Sequence, residues 1–243
     1  MLNVSLLLFG YGGIEPAAHD AIFHELIRDP GDIAWAHRVV YDDALIERSR
    51  SVALSRSLQA GADVVVMVDH DIVWEPGDIA ALARRAHKEN AVVGGLYACR
   101  GYRAGFSSRL ASQGVAWKDG GDTLHKAEYV ATGFLAIPRR CVERILACCT
   151  RPDAPDWARV SECIGVDRPE VSFHDYFRCV SVPCTMAGYE DKHEMLSEDW
   201  SFAKRAAFSD VPLFVWEKPV LRHYGRHGFR VDDGLRTKPG ASG

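Results

Sequence analysis

Short apolar runs alternate with longer stretches of helical period along the first hundred residues. Val64-Val65-Val66-Met67-Val68 is a continuous run rich in β-branched residues, and Val4 to Phe9 is a second such run. Both predict strands buried on two faces, as in a parallel sheet. Ala91 to Leu96 reads as another strand, and Ala34 to Tyr41 as a weaker one. Helical patterning covers Pro16 to Arg28, about Leu45 to Ala60, and Asp78 to Lys88. Gly61 closes the second of these helices, and Pro76 stands where the third begins. The alternation predicts an α/β fold, with right-handed crossovers placing helices on both faces of the sheet.

Beyond residue 100 the regularity fades. Tyr129 to Ile137 reads as one strand, Arg139 to Cys149 as a helix, and Leu213 to Trp216 as a strand. Thr150 to Glu194 is rich in proline, charge and aromatics without a clear period, and such a stretch inside a domain is functional or mobile. Residues 1–232 are expected to form a single domain, with 233–243 as a flexible tail.

Composition narrows the function classes. With 243 residues and 47% hydrophobic content, one domain with a sizeable core is expected. Lys and Arg total 29 against 33 acidic residues, a net charge of -4, so no global electrostatic case favours nucleic acid or membrane. Seven cysteines, an odd count without a C-x-x-C pair, point to free thiols, a reducing compartment and a cytoplasmic location. Cys179 and Cys184 fit buried apolar thiols better than metal ligands. The apolar start, Asn3 to Phe9, is too short for a signal peptide core, and no stretch approaches membrane-spanning length.

The candidate chemistry begins at Asp69-His70-Asp71, at the end of the most apolar run. A strand of an open α/β sheet delivers its last residues to the carboxyl edge, where such sheets bind ligands. Two carboxylates flanking one side chain can turn towards a hard cation bound to phosphate oxygens, the requirement of a nucleotide diphosphate site. The plainer role of the same residues is to end a strand and start a turn. Gly10-Tyr11-Gly12-Gly13, after the first run, lets backbone approach a ligand closely, although its spacing is not G-x-G-x-x-G and a structural turn is the alternative.

The order of motifs resembles one family. Asp43-Ala44-Leu45-Ile46, Arg50-Ser51 with Leu58, Gly61-Ala62-Asp63, Val68-Asp69-His70-Asp71-Ile72 and Gly94-Gly95-Leu96-Tyr97 are followed by Thr132-Gly133-Phe134, Ser197-Glu198-Asp199-Trp200-Ser201-Phe202 and His223-Tyr224-Gly225. From residue 4 to about 228 this looks like nucleotide-sugar-dependent glycosyltransferases of bacterial and phage type, with Ser51 where such members often carry asparagine. The resemblance implies a GT-A, Rossmann-like, mostly parallel sheet. It also implies Mn2+ or Mg2+ as cofactor, a nucleotide-sugar donor of the UDP class, and an acceptor with a free hydroxyl on a glycan, a small molecule or a modified DNA base.

The resemblance assigns Phe9, Tyr11, Gly12, Asp43, Arg50, Asp69, His70, Gly133 and Arg226 to the donor. Asp71 is the expected direct metal ligand, Asp69 binds the metal through water or holds the donor ribose, and His223 completes the metal sphere. An inverting transfer needs a carboxylate to take the acceptor hydroxyl's proton. Asp199 is the expected base, and Glu198 binds acceptor or sugar. The competing account is local: Ser197 caps a helix whose acidic first turn complements the macrodipole.

Two basic clusters remain. Arg100-Gly101-Tyr102-Arg103-Ala104-Gly105-Phe106 with Arg109 can contact diphosphate, acceptor or a nucleic-acid backbone, or form a solvated loop. Arg222, Arg226, His227 and Arg230 around His223 can close over a diphosphate and exclude water, or form a solvated tail.

The expected activity is metal-dependent glycosyl transfer. The rivals are glycosylation of hydroxymethylated DNA bases, which requires a flipped or single-stranded base, nucleotidyl transfer, and a noncatalytic nucleotide-binding module. Nucleotidyl transfer ranks lower because no glycine-rich, lysine-containing loop stands near the amino terminus.

Overall fold

The two most apolar runs pair side by side. In the computed structural model, which describes residues 1–10, 13–28, 31–41, 43–99, 105–165, 170–185, 191–224 and 228–229, Val4 to Phe9 lie parallel to Val64 to Asp69. The two-residue period of the pleat sends Leu7, Phe9, Val65 and Met67 to one face and Leu6, Leu8, Val66 and Val68 to the other. Both faces are covered by helices, so these runs are apolar except for Ser5, whose buried hydroxyl is hydrogen-bonded to that of Ser57 at 2.8 Å.

In chain order the elements are β1 (Leu2–Gly10), α1 (Pro16–Ile27), β2 (Ile33–Tyr41), α2 (Ile46–Gln59), β3 (Val64–Asp69), β4 (Ile72–Val73), α3 (Asp78–Glu89), β5 (Val92–Gly95), β6 (Arg109–Leu110), β7 (Leu124–Tyr129), β8 (Phe134–Pro138), α4 (Arg139–Cys149), β9 (Glu162–Ile164), β10 (Ser172–His174), β11 (Ser181–Pro183), β12 (His193–Met195), α5 (Glu198–Phe208), β13 (Leu213–Trp216), β14 (Arg222–Tyr224) and β15 (Gly228–Phe229). Helices α2, α4 and α5 pack on one face of the central sheet, and α1 and α3 on the other. The eight strands follow the order β2-β1-β3-β8-β5-β13-β7-β6. Strands β2, β1, β3, β5, β13 and β6 run one way, β8 and β7 the other, so the sheet is mixed but mostly parallel.

The second half departs from the sequence reading. The strand expected over Tyr129 to Ile137 is two strands, β7 and β8, broken at Val130 to Gly133. Val130 and Ala131 are buried in the connection, so their apolar character reflects packing and not pairing. The aperiodic stretch from Thr150 to Glu194 contains two hairpins, β9 with β10 and β11 with β12. Strands of three residues are too short to display a period. A further small sheet, β15-β14-β4, sets His223 opposite Ile72 and brings the late histidine back to the Asp69-His70-Asp71 turn.

Gly94 permits the closest approach in the sheet, because a Cβ there would lie 2.3 Å from Val130 Cγ1 and 2.9 Å from the Phe134 carbonyl oxygen. We expect Gly94→Ala to destabilise the chain by about 1–3 kcal/mol, the usual cost of overpacking a tight interior. A lower urea midpoint at unchanged slope is the signature. An unaltered midpoint would show that Val130 yields freely.

Candidate active site

The turn after β3 is pinned on both sides. The Asp69 N–H donates to the Gly133 carbonyl at 2.9 Å and the His70 N–H to the Phe9 carbonyl at 2.8 Å, so the turn is tied to the ends of β1 and β8. Gly133 has no room for a side chain: a Cβ would lie 2.4 Å from the Tyr97 hydroxyl and 2.9 Å from Asp69 Oδ2. It stands directly behind Asp69.

Arg50 of α2 is buried, and its guanidinium ties several segments together. One Nη donates to Asp69 Oδ1 at 2.9 Å and the other to the Thr132 carbonyl at 3.2 Å. Its Nε lies 3.9 Å from Glu198 Oε1, and the guanidinium carbon stands 5.0 Å from the Phe9 ring centroid. Among the described residues Nε has no hydrogen-bond partner. Burial disfavours the charge, but Asp69 and Glu198 outweigh it and hold the pKa above the ordinary value.

Asp71 is also buried, on the far side of the turn. Its carbonyl accepts from the Tyr224 N–H at 2.7 Å, fixing β14 beside it. His223 Nδ1 is 2.8 Å from the Ala98 carbonyl oxygen. Because a carbonyl only accepts, Nδ1 carries the hydrogen, and Nε2 faces Asp71 Oδ2 across 3.7 Å. A ring nitrogen oriented by a backbone carbonyl through its opposite nitrogen is the usual arrangement of a metal-binding histidine. The Tyr97 ring meets His223 edge-on at 5.2 Å.

These side chains surround a cavity of about 510 Å³ lined by Phe9, Asp43, Arg50, Asp69, His70, Asp71, Tyr97 and His223. Asp43 carries a local task as well, because Arg48 holds it at 2.6 Å and its carboxyl falls below the ordinary value. Among the described residues no group of three or more His, Cys, Asp or Glu stands ready to hold a metal ion. Asp71 and His223 converge, while Asp69 gives one oxygen to Arg50. All seven cysteines are free, and no described helix is long and apolar enough to cross a membrane.

A second cavity, of about 630 Å³, shares Tyr97 and His223 with the first and is lined by Asp199, Tyr129, Trp200 and Arg109. Ser197 stands at the cap position of α5, yet among the described residues its side chain caps no backbone N–H and instead donates to Asp199 Oδ1 at 2.5 Å. The Tyr129 hydroxyl donates to Asp199 Oδ2 at 2.9 Å. The expected helix cap is therefore absent here, and the serine orients the carboxylate. Burial, then the neighbouring Asp199, raises the Glu198 pKa, with Arg50 opposing.

The structure thus gathers Phe9, Asp43, Arg50, Asp69, His70, Asp71 and His223 around one cavity and sets Asp199 on the other. Tyr11, Gly12 and Arg226 lie outside the described residues, as do Arg100 to Ala104, His227 and Arg230. Arg222 is surface-placed, 3.9 Å from Glu75. Sequence reasoning missed Tyr129 and Trp200 as site residues. The aromatic residue directly after Asp199 was the available signal for Trp200, while Tyr129 was read only as the start of a strand.

No protein-family model matches the sequence, and no curated protein matches it. Solved structures do. A197 from STIV superposes with a TM-score of 0.56 at 14% identity, covering 96% of this chain and 92% of that one. GalNAc-T7, crystallised with UDP, GalNAc and Mn2+, superposes with a TM-score of 0.53 at 10% identity, covering 93% of this chain and 44% of that one. At such identities the likeness is one of fold: a single α/β domain of the Rossmann-like GT-A kind.

Proposed function

We propose that this chain transfers a sugar from a nucleotide diphosphate sugar of the UDP class to an acceptor hydroxyl, with a divalent cation such as manganese or magnesium. The observation that carries the reading is His223, whose Nε2 is turned towards Asp71 in a cavity that Asp69 and Arg50 also line. Support comes from the fold shared with GalNAc-T7, whose crystals contain UDP, GalNAc and Mn2+.

Asp71 and His223 would hold the cation, with Asp69 reaching it through water or turning to the ribose. When bound, the cation neutralises charge developing on the diphosphate leaving group. Arg50 keeps Asp69 oriented and the interior electrically balanced. The acceptor enters the second cavity, where Asp199 takes the hydroxyl proton while Tyr129 and Ser197 hold its two oxygens in place. Glu198 positions acceptor or sugar from the first turn of α5.

Binding is testable by thermal shift, since a ligand of the folded state raises apparent stability by mass action. UDP should raise the melting temperature only with manganese present, and Asp71→Ala should abolish that shift without unfolding the chain. Asp69→Asn should be milder, because the amide keeps hydrogen bonding while losing charge. Turnover that survives both excess chelator and Asp71→Ala would remove the metal from the mechanism.

The carboxylate pair separates by kinetics. Asp199→Asn should lower the single-turnover rate by ~100- to 10,000-fold with donor affinity nearly intact, because a general base acts only in the transition state. Glu198→Gln should raise the Michaelis constant for acceptor instead. If both acted only through the helix dipole, each would cost a few tenths to ~1 kcal/mol of stability and leave activity per folded molecule unchanged.

Glu198 also sets a pH dependence. Its folded pKa exceeds the ordinary 4.5, so the folded state binds the proton more tightly than the unfolded one. Stability should therefore fall as pH rises from the ordinary value through the raised one. Unfolding curves across that window should flatten in Glu198→Gln, and an unchanged slope would deny the shift.

A further inference from the structure

We infer that the second cavity takes an acceptor bearing one anionic group, of the phosphate or carboxylate class, recognised by Arg109. The inference rests on the proposed transfer only in giving Asp199 the acceptor's hydroxyl end. Three elements build the recognition point. Arg109 of β6 stands opposite Tyr129 of β7, and the register shifts immediately after it, between Arg109 and Leu110. A bulge at that place re-aims the strand's side chains.

Trp200 of α5 packs against both partners: its ring stacks on Tyr129 at 4.3 Å and 3°, and the Arg109 guanidinium carbon lies 4.7 Å from it. The cation is therefore held on an aromatic shelf and does not sweep freely through solvent. The same shelf is joined to Asp199 through the Tyr129 hydroxyl at 2.9 Å. Cation and carboxylate are thus fixed relative to one another on a single cavity wall.

The charge pattern then selects the ligand. Arg109 is 64% exposed, and its contact with Glu128, at 3.9 Å, is longer than a hydrogen bond. A planar guanidinium with available donors matches a phosphate or carboxylate through paired hydrogen bonds. A neutral acceptor would gain little from it. Among the described residues Arg109 is the one cation lining this cavity, and the chain's net charge is -4. One guanidinium matches one anionic group, whereas a polyanionic backbone would engage several cations and show steep salt dependence.

The full chain, saturated with UDP and manganese, should be titrated calorimetrically with glucose 6-phosphate, glucuronate, glucose and a short single-stranded oligonucleotide. Glucose 6-phosphate or glucuronate should bind more tightly than glucose, and their ranking identifies the anion as phosphate or carboxylate. Arg109→Gln should weaken that ligand by about tenfold or more while leaving glucose unchanged, as expected for loss of a charge-assisted hydrogen bond. Trp200→Leu should weaken it too by removing the shelf, whereas Arg38→Gln, a surface arginine outside this cavity, should not.

Equal binding of charged and neutral sugars, or a preference that persists in Arg109→Gln, overturns the inference. So does an oligonucleotide that outcompetes both anionic sugars with steep salt dependence. UDP binding measured beforehand keeps the two readings apart. If UDP binds and no anionic sugar does, this inference fails alone. If UDP does not bind and Arg109-dependent sugar binding persists, the reading of the first cavity fails and this one stands.

Discussion

A buried guanidinium organises this molecule. Arg50 cannot remain charged in the interior without carboxylates and carbonyls around it, and removing one partner from a buried ion pair is far more costly than never forming it. Its partners come from separate segments: Asp69 at the end of β3, the Thr132 carbonyl before β8, Glu198 at the start of α5, and the Phe9 ring in β1. Satisfying that one side chain brings four segments together. Residues distant in sequence therefore meet at one edge of the sheet.

Helix α2 extends the same constraint through its serines. Ser51 accepts the Phe177 N–H at 3.2 Å and Ser55 the His174 N–H at 3.1 Å, so the segment around β10 is tied to the helix that carries Arg50. Buried Arg205 of α5 donates to the Tyr176 and Arg178 carbonyls at 3.0 and 2.9 Å. The region between α4 and α5 is thus ordered by polar groups grasping its backbone, and a serine at position 51 has a task of its own.

That distinction explains what could be read from the sequence. Strands β1, β3, β5 and β13 were legible because burial on both faces leaves largely apolar runs, and helices α3 and α4 because one face is apolar. The hairpins between Thr150 and Glu194 were illegible because backbone-to-side-chain hydrogen bonds leave no hydrophobic period. The break between β7 and β8 was hidden by Val130 and Ala131, which are buried without belonging to a strand. Asp69, Asp71, Arg50 and His223 could be picked out as candidates by motif order. The pairing that brings His223 to Asp71 involves two residues of β4 and spans some 150 positions of chain, and no local pattern announces it. The Arg109, Trp200 and Tyr129 shelf comes from three elements and was equally silent.

The partition of charge follows from the same network. Arg50 engages one oxygen of Asp69 and stands near Glu198, which leaves Asp71 and His223 facing the first cavity beside Asp69 and sets Asp199 on the second. Tyr97 belongs to both walls. Burial, then the neighbouring Asp69, pushes its pKa well above the ordinary tyrosine value, so the shared wall keeps a neutral hydroxyl. Gly133 keeps that hydroxyl close to Asp69, since any side chain there would collide with both. Tyr97 and His223 together form the wall shared by the two cavities, and on the proposed reading the neutral tyrosine lies where donor and acceptor would meet.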